Sequence, residues 1–158
     1  MLPLLIGLAY HVSVTRQVHG LPPGNMTYEL QASRLLGVKV EPEVGRDLDD
    51  LLRYIEREIP ADETLFYFGN RALIHGVVNR PSTQPLLWFR EGVTYSERDA
   101  SRSDQYLLDT LIEKDVHWLV IEDERYLRDF PRTKEYIEGN FKQVREVGLR
   151  AYFVYQRP

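Results

Sequence analysis

Five residues carry the chemistry this sequence offers: Asn70, Arg71, Arg80, Glu122 and Asp123. Glu122 and Asp123 follow the apolar run Trp118-Leu119-Val120-Ile121 directly. A run that short, rich in β-branched and aromatic residues, reads as a strand covered on both faces. The ligand crevice of an open α/β sheet lies beyond the carboxyl ends of its strands, which is where these two carboxylates fall. Asn70 and Arg71 follow a second such run, Leu65-Phe66-Tyr67-Phe68, after the turn at Gly69. A strand-turn-helix of this kind can aim backbone N–H groups at an anion, with Asn70 and Arg71 as further donors. Parallel neighbouring strands would set both pairs on one rim, with Arg80 beside them. Opposed charges so placed form either a polar recognition site for a small anionic ligand or a solvated salt bridge.

Motifs that would sharpen this chemistry are absent. There is no Gly-x-Ser-x-Gly elbow, no His-Glu-x-x-His, no phosphate loop and no Gly-x-Gly-x-x-Gly. His11, His19, His75 and His117 stand singly, without a partner at ligand spacing, so neither a metal site nor a cofactor is expected and no residue is assigned as catalytic. Cysteine is missing altogether, which excludes a disulfide framework, a zinc finger and a thiol nucleophile. A net charge of -4 with no Lys/Arg cluster argues against a nucleic-acid partner. A chain of 158 residues, 43% hydrophobic and 28% charged, suits one domain with a true core.

The elements that must position these residues can be read in order. Met1 to Val14 is apolar; as a helix it would span about 20 Å against a hydrocarbon core of about 30 Å. It admits two readings, a core element or the end of a transmembrane helix. Residues 15–45 read as a linker around His19-Gly20-Leu21-Pro22-Pro23-Gly24, with a short helix over Met26 to Leu36 ended by Gly37 and an extended Val38 to Glu41. Asn25-Met26-Thr27 matches a glycosylation acceptor pattern, which recurs by chance at this length.

Residues 46–158 read as the soluble α/β domain. Leu48, Leu51, Leu52, Ile55 and Ile59 form one buried stripe and predict a helix from Asp47 to Ile59. Asp47, Asp49 and Asp50 would then sit at the positive end of its dipole. A short helix through Ala72 to Ile74 and a strand over Pro85 to Phe89 follow. Ser103 can cap a helix carrying Leu107, Leu108, Leu111 and Ile112, a further helix covers Arg132 to Glu138, and a hairpin turns at Gly148-Leu149. The expected fold is α/β: a helix-covered, mainly parallel sheet with a C-terminal antiparallel β-hairpin.

The order of the pieces carries a resemblance. Leu51 to Pro60 is followed by Thr64 to Asn70, Asn79-Arg80-Pro81, Leu107 to Ile121 and Tyr136 to Lys142. Together, over roughly residues 45–156, they resemble the soluble carboxyl-terminal domain of bacterial GT-C type membrane glycosyltransferases, the protein mannosyltransferase and aminoarabinose transferase group. Such enzymes move a sugar from a polyprenyl-phosphate carrier on the extracytoplasmic side of the membrane, with the catalytic carboxylate in an early loop between membrane helices. The resemblance therefore implies an accessory domain at the extracytoplasmic face of a bacterial cell membrane, non-catalytic in isolation. Its implied partners are the membrane portion of the parent protein and a lipid-linked sugar or acceptor. The residues themselves leave open a free-standing domain binding a small anion and a structural interaction module.

Overall fold

The computed structural model describes residues 25–69, 73–83, 96, 99–149 and 152–158. The readings for Met1 to Val14, for residues 15–24, for Asn70 and Arg71, and for the strand at Pro85 to Phe89 lie outside the described residues. The chain divides into two compact units, Met1–Arg46 and Asp47–Pro158.

In the first unit, β1 (Tyr28–Glu29) pairs antiparallel with β2 (Lys39–Val40). The helix expected over Met26 to Leu36 is reduced to one 3₁₀ turn, Ser33–Leu35. The reason is a longer-range partner for the backbone. Leu30 N–H donates to the Val38 carbonyl at 3.0 Å, and Gly37 turns the chain at φ 84°.

Helix α1 spans Pro42–Glu58 and so begins earlier than the expected Asp47. Proline is suited to a helix start, where its missing N–H leaves no intrahelical bond unmade. Asp47, Asp49 and Asp50 therefore lie inside the helix rather than at its dipole end. Asp47 accepts from Leu149 N–H at 3.0 Å, Asp50 pairs with Arg53 at 3.1 Å, and Asp49 is buried. The acidic run thus serves two separate contacts and one buried position, and the capping explanation is corrected.

The second unit holds β3 (Leu65–Phe68), α2 (Leu73–Val77), α3 (Ala100–Glu113), β4 (Trp118–Ile121), a 3₁₀ helix (Glu124–Asp129), α4 (Pro131–Asn140), β5 (Lys142–Val147) and β6 (Tyr152–Gln156). The sheet order is β3-β4-β6-β5. Leu65 pairs with Trp118 and Phe68 with Ile121, and the two strands run parallel as the strand-helix-strand order suggested. Both other strand pairs are antiparallel, so the sheet is mixed rather than mainly parallel. The physical reason is that the final hairpin takes the second edge of β4 through β6 and needs no crossover to do so. β4 is consequently an interior strand and β5 an edge, where Lys142 and a register shift between Gln143 and Arg145 blunt further pairing.

Strand alternation divides the core. Phe66, Phe68, Leu119 and Ile121 pack with Leu107, Leu111, Leu127, Phe130, Ile137 and Phe141 from the helical side. Leu65, Tyr67, Trp118 and Val120 point the other way and are also buried, as is the stripe Leu48, Leu51, Leu52, Ile55 and Ile59 of α1. Each such side chain contributes roughly 1.5–3 kcal/mol on burial.

The helices on the first face are joined by a buried carboxylate. Ser103 lies within α3, which starts at Ala100 after Asp99, and so does not cap it. The capping in this layer is done by Asp104. It is 2% exposed and accepts from Arg132 N–H (2.9 Å), Thr133 N–H (2.9 Å) and Thr133 Oγ1 (2.7 Å), closing the start of α4 from a different helix.

Candidate functional site at the ends of the parallel strands

The carboxyl end of the parallel pair is built around Gly69 and Glu122. Glu122 N–H donates to the Phe68 carbonyl at 3.0 Å, prolonging the β3–β4 ladder and fixing the side chain over the β3 turn. Tyr67 is fully buried, yet its hydroxyl reaches the rim and donates to Glu122 Oε2 at 2.9 Å. Only glycine fits beneath this pair: a Cβ at position 69 would lie 2.5 Å from Glu122 Oε2 and 2.7 Å from the Tyr67 hydroxyl.

Asp123 follows in extended backbone and starts the 3₁₀ helix, accepting from Arg125 N–H at 2.8 Å. Its second oxygen accepts from Arg125 Nε at 2.7 Å. The Arg125 side chain holds the Asp123 carboxyl below the usual carboxylate range, so Asp123 is an ionised cap. Beyond it, Tyr155 donates to Glu124 Oε1 at 2.9 Å; burial first, and Glu124 second, push that phenol well above its ordinary range.

Arg80 lies at the amino end. After α2 the chain reverses through Asn79 at φ 56°, and Arg80 N–H bonds back to the His75 carbonyl at 2.9 Å. The guanidinium then donates to the carbonyls of Ile59 (2.5 Å), Pro60 (2.8 Å) and Glu63 (3.1 Å). These acceptors end α1 and lead into β3, so Arg80 serves the open carbonyls of a helix terminus. Glu122 and Asp123 are brought together; Arg80 stands at the other end of β3. A groove of about 400 Å³ opens beside it, lined by Ile55, Glu58, Ile59, Pro60, Val78 and Arg80 among others.

His75 is 2% exposed, and neither ring nitrogen has a hydrogen-bond partner among the described residues. Burial, then the nearby Arg80 charge, push its pKa down. It is therefore a neutral core histidine, held near Arg80.

One polar cluster escaped the sequence reading. Thr64 Oγ1 donates to the Asp115 carbonyl and accepts from His117 N–H at 3.1 Å. Arg157 pairs with the Asp115 carboxylate and approaches His117 Nε2 at 3.1 Å. Glu63 accepts from the Trp118 indole N–H. The members come from the starts of β3 and β4 and the end of β6, so their only sequence signal was Asp115 two positions before His117. Among the described residues no group of three or more His, Cys, Asp or Glu side chains could hold a metal ion, and no helix is long and apolar enough to cross a membrane.

No family model and no curated protein matches this sequence. Among solved structures, the C-terminal globular domain of an oligosaccharyltransferase from Archaeoglobus fulgidus is similar, with a TM-score of 0.44 and 12% identity, over 71% of this chain and 97% of that one.

Proposed function

We propose that this chain is the accessory extracytoplasmic domain of a GT-C type membrane glycosyltransferase that uses a polyprenyl-phosphate-linked sugar, and that it is non-catalytic in isolation. The observation that carries the reading is the common placement of the resembling pieces. Leu51 to Pro60, Thr64 to Asn70, Asn79-Arg80-Pro81, Leu107 to Ile121 and Tyr136 to Lys142 all fall in the unit Asp47–Pro158. There they supply the second half of α1, both parallel strands, and the junction of α4 with β5.

The rim at the carboxyl ends of β3 and β4 is the surface offered to the acceptor or to the membrane portion. Glu122 stands there on a rigid support from Tyr67, and Asn70 and Arg71 follow Gly69 in the chain. Asp123 is engaged by Arg125 and contributes charge more than a free ligand position. The test is transfer itself. The purified chain, given a polyprenyl-phosphate-linked sugar and an acceptor peptide or glycolipid, is expected to give no product; turnover by this chain alone overturns the reading.

A further inference from the structure

We propose that His117 is a proton-operated switch that moves the Asp115 carboxylate from Arg157 to the imidazole and so loosens the end of β6. The neutral ring is held in one tautomer. Thr64 Oγ1 spends its proton on the Asp115 carbonyl, so the 3.3 Å contact between Thr64 Oγ1 and His117 Nδ1 requires the ring proton to be on Nδ1. Nε2 is then an acceptor, and Arg157 Nη2 donates to it at 3.1 Å. The same guanidinium nitrogen holds Asp115 Oδ1, while Asp115 Oδ2 lies 3.8 Å from His117 Nε2. Two acceptors thus converge on one arginine nitrogen.

Protonation of Nε2 removes one acceptor and sets an N–H against the Arg157 N–H it formerly received. The two donors repel, and the carboxylate already 3.8 Å away is the group able to accept from the new N–H. Asp115 is free to make that move: its side chain is 69% exposed. The other charged or titratable groups around the ring are spoken for. The Tyr136 phenol of α4 bonds Arg157, and Glu63, beside Thr64, receives the Trp118 indole. Arg157 also ties β6 to β4 through its backbone N–H on the His117 carbonyl at 2.9 Å. Loss of the Asp115 tie leaves that backbone bond and the Tyr136 phenol holding the strand end, with the guanidinium freed on its Asp115 side.

The experiment is NMR of the full chain, following the His117 ring nitrogens and the Arg157 side-chain nitrogens from about pH 8 to about pH 5, the range in which histidine changes charge. The expected result is a shift of the Arg157 resonances with the same midpoint as His117. In His117→Gln the Arg157 titration is expected to vanish. An Arg157 spectrum that stays constant through the His117 transition overturns the proposal, as does an unchanged Arg157 titration in His117→Gln. If that variant does not fold, the wild-type midpoints alone decide: coincidence supports the switch and an independent Arg157 response rejects it.

Discussion

The two ends of the parallel pair β3–β4 are organised on opposite principles. At the amino end, Arg80 and Thr64 are spent on backbone groups. Arg80 takes three carbonyls, Thr64 a carbonyl and an amide, and Glu63 an indole N–H. At the carboxyl end, Glu122 is presented on a buried tyrosine hydroxyl over a glycine that leaves it room. The helix layer behind it is fixed by Asp104. Both ends are polar and both contain charges of either sign, so charge alone does not distinguish them. They differ in what the side chains hold: Arg80 and Thr64 bind main-chain groups, whereas Glu122 accepts from a tyrosine hydroxyl.

The largest effect is expected where the carboxyl end is tied to its helix layer. Asp104→Ala leaves two backbone N–H groups and the Thr133 hydroxyl without their acceptor in a buried place, and a cost of about 3 kcal/mol is expected in urea unfolding. Asp104→Asn retains the shape and one carbonyl oxygen and is expected to lose less. Equal, small losses for both would show that α4 does not depend on this cap.

Arg80→Ala comes next and probes the amino end. Three carbonyls at the close of α1 lose a charged donor, for an expected loss of roughly 1–2 kcal/mol, reduced by partial solvent access. Were Arg80 a rim ligand rather than a structural clamp, this variant would unfold at the wild-type midpoint.

Stability as a function of pH gives a third test. Burial lowers the His75 pKa in the folded chain below its ordinary 6.5, so the unfolded chain takes up the proton first as pH falls. The contribution of the neutral ring is complete above about pH 6.5 and is lost as pH falls through the lowered folded value. His75→Leu is expected to flatten the fall in unfolding free energy between pH 7 and pH 5; an unaltered slope would place the acid sensitivity elsewhere.

How much of this was legible in sequence follows from the range of each interaction. The two buried strands, their parallel direction and the closing hairpin were readable because apolar runs, the strand-helix-strand order and Gly148-Leu149 are local signals. The start of α1 was misplaced because three aspartates imitate a helix N-terminus, whereas Pro42 was the better marker. The placement of Glu122 and Asp123 beyond β4 followed from strand direction alone. Arg80 was drawn to the wrong end of β3 because its acceptors precede it by a full strand and helix, a distance at which no spacing rule speaks. The union of Thr64, Asp115, His117 and Arg157 was invisible for the same reason.

The smallest effect is expected at the exposed Asp123–Arg125 pair. Arg125→Ala removes a solvent-facing partner and leaves the backbone cap on Asp123, so no measurable change in unfolding midpoint is expected. A clear destabilisation would mean that the carboxyl end, too, is mainly scaffold.

The central claim, an accessory domain belonging to a larger membrane enzyme, is tested most directly by the size and location of the native product. An antibody raised against the unit Asp47–Pro158 should detect, in fractionated cells of the source organism, a membrane-bound protein substantially larger than the 18.6 kDa of this chain. A product of 18.6 kDa recovered in the soluble fraction would contradict it.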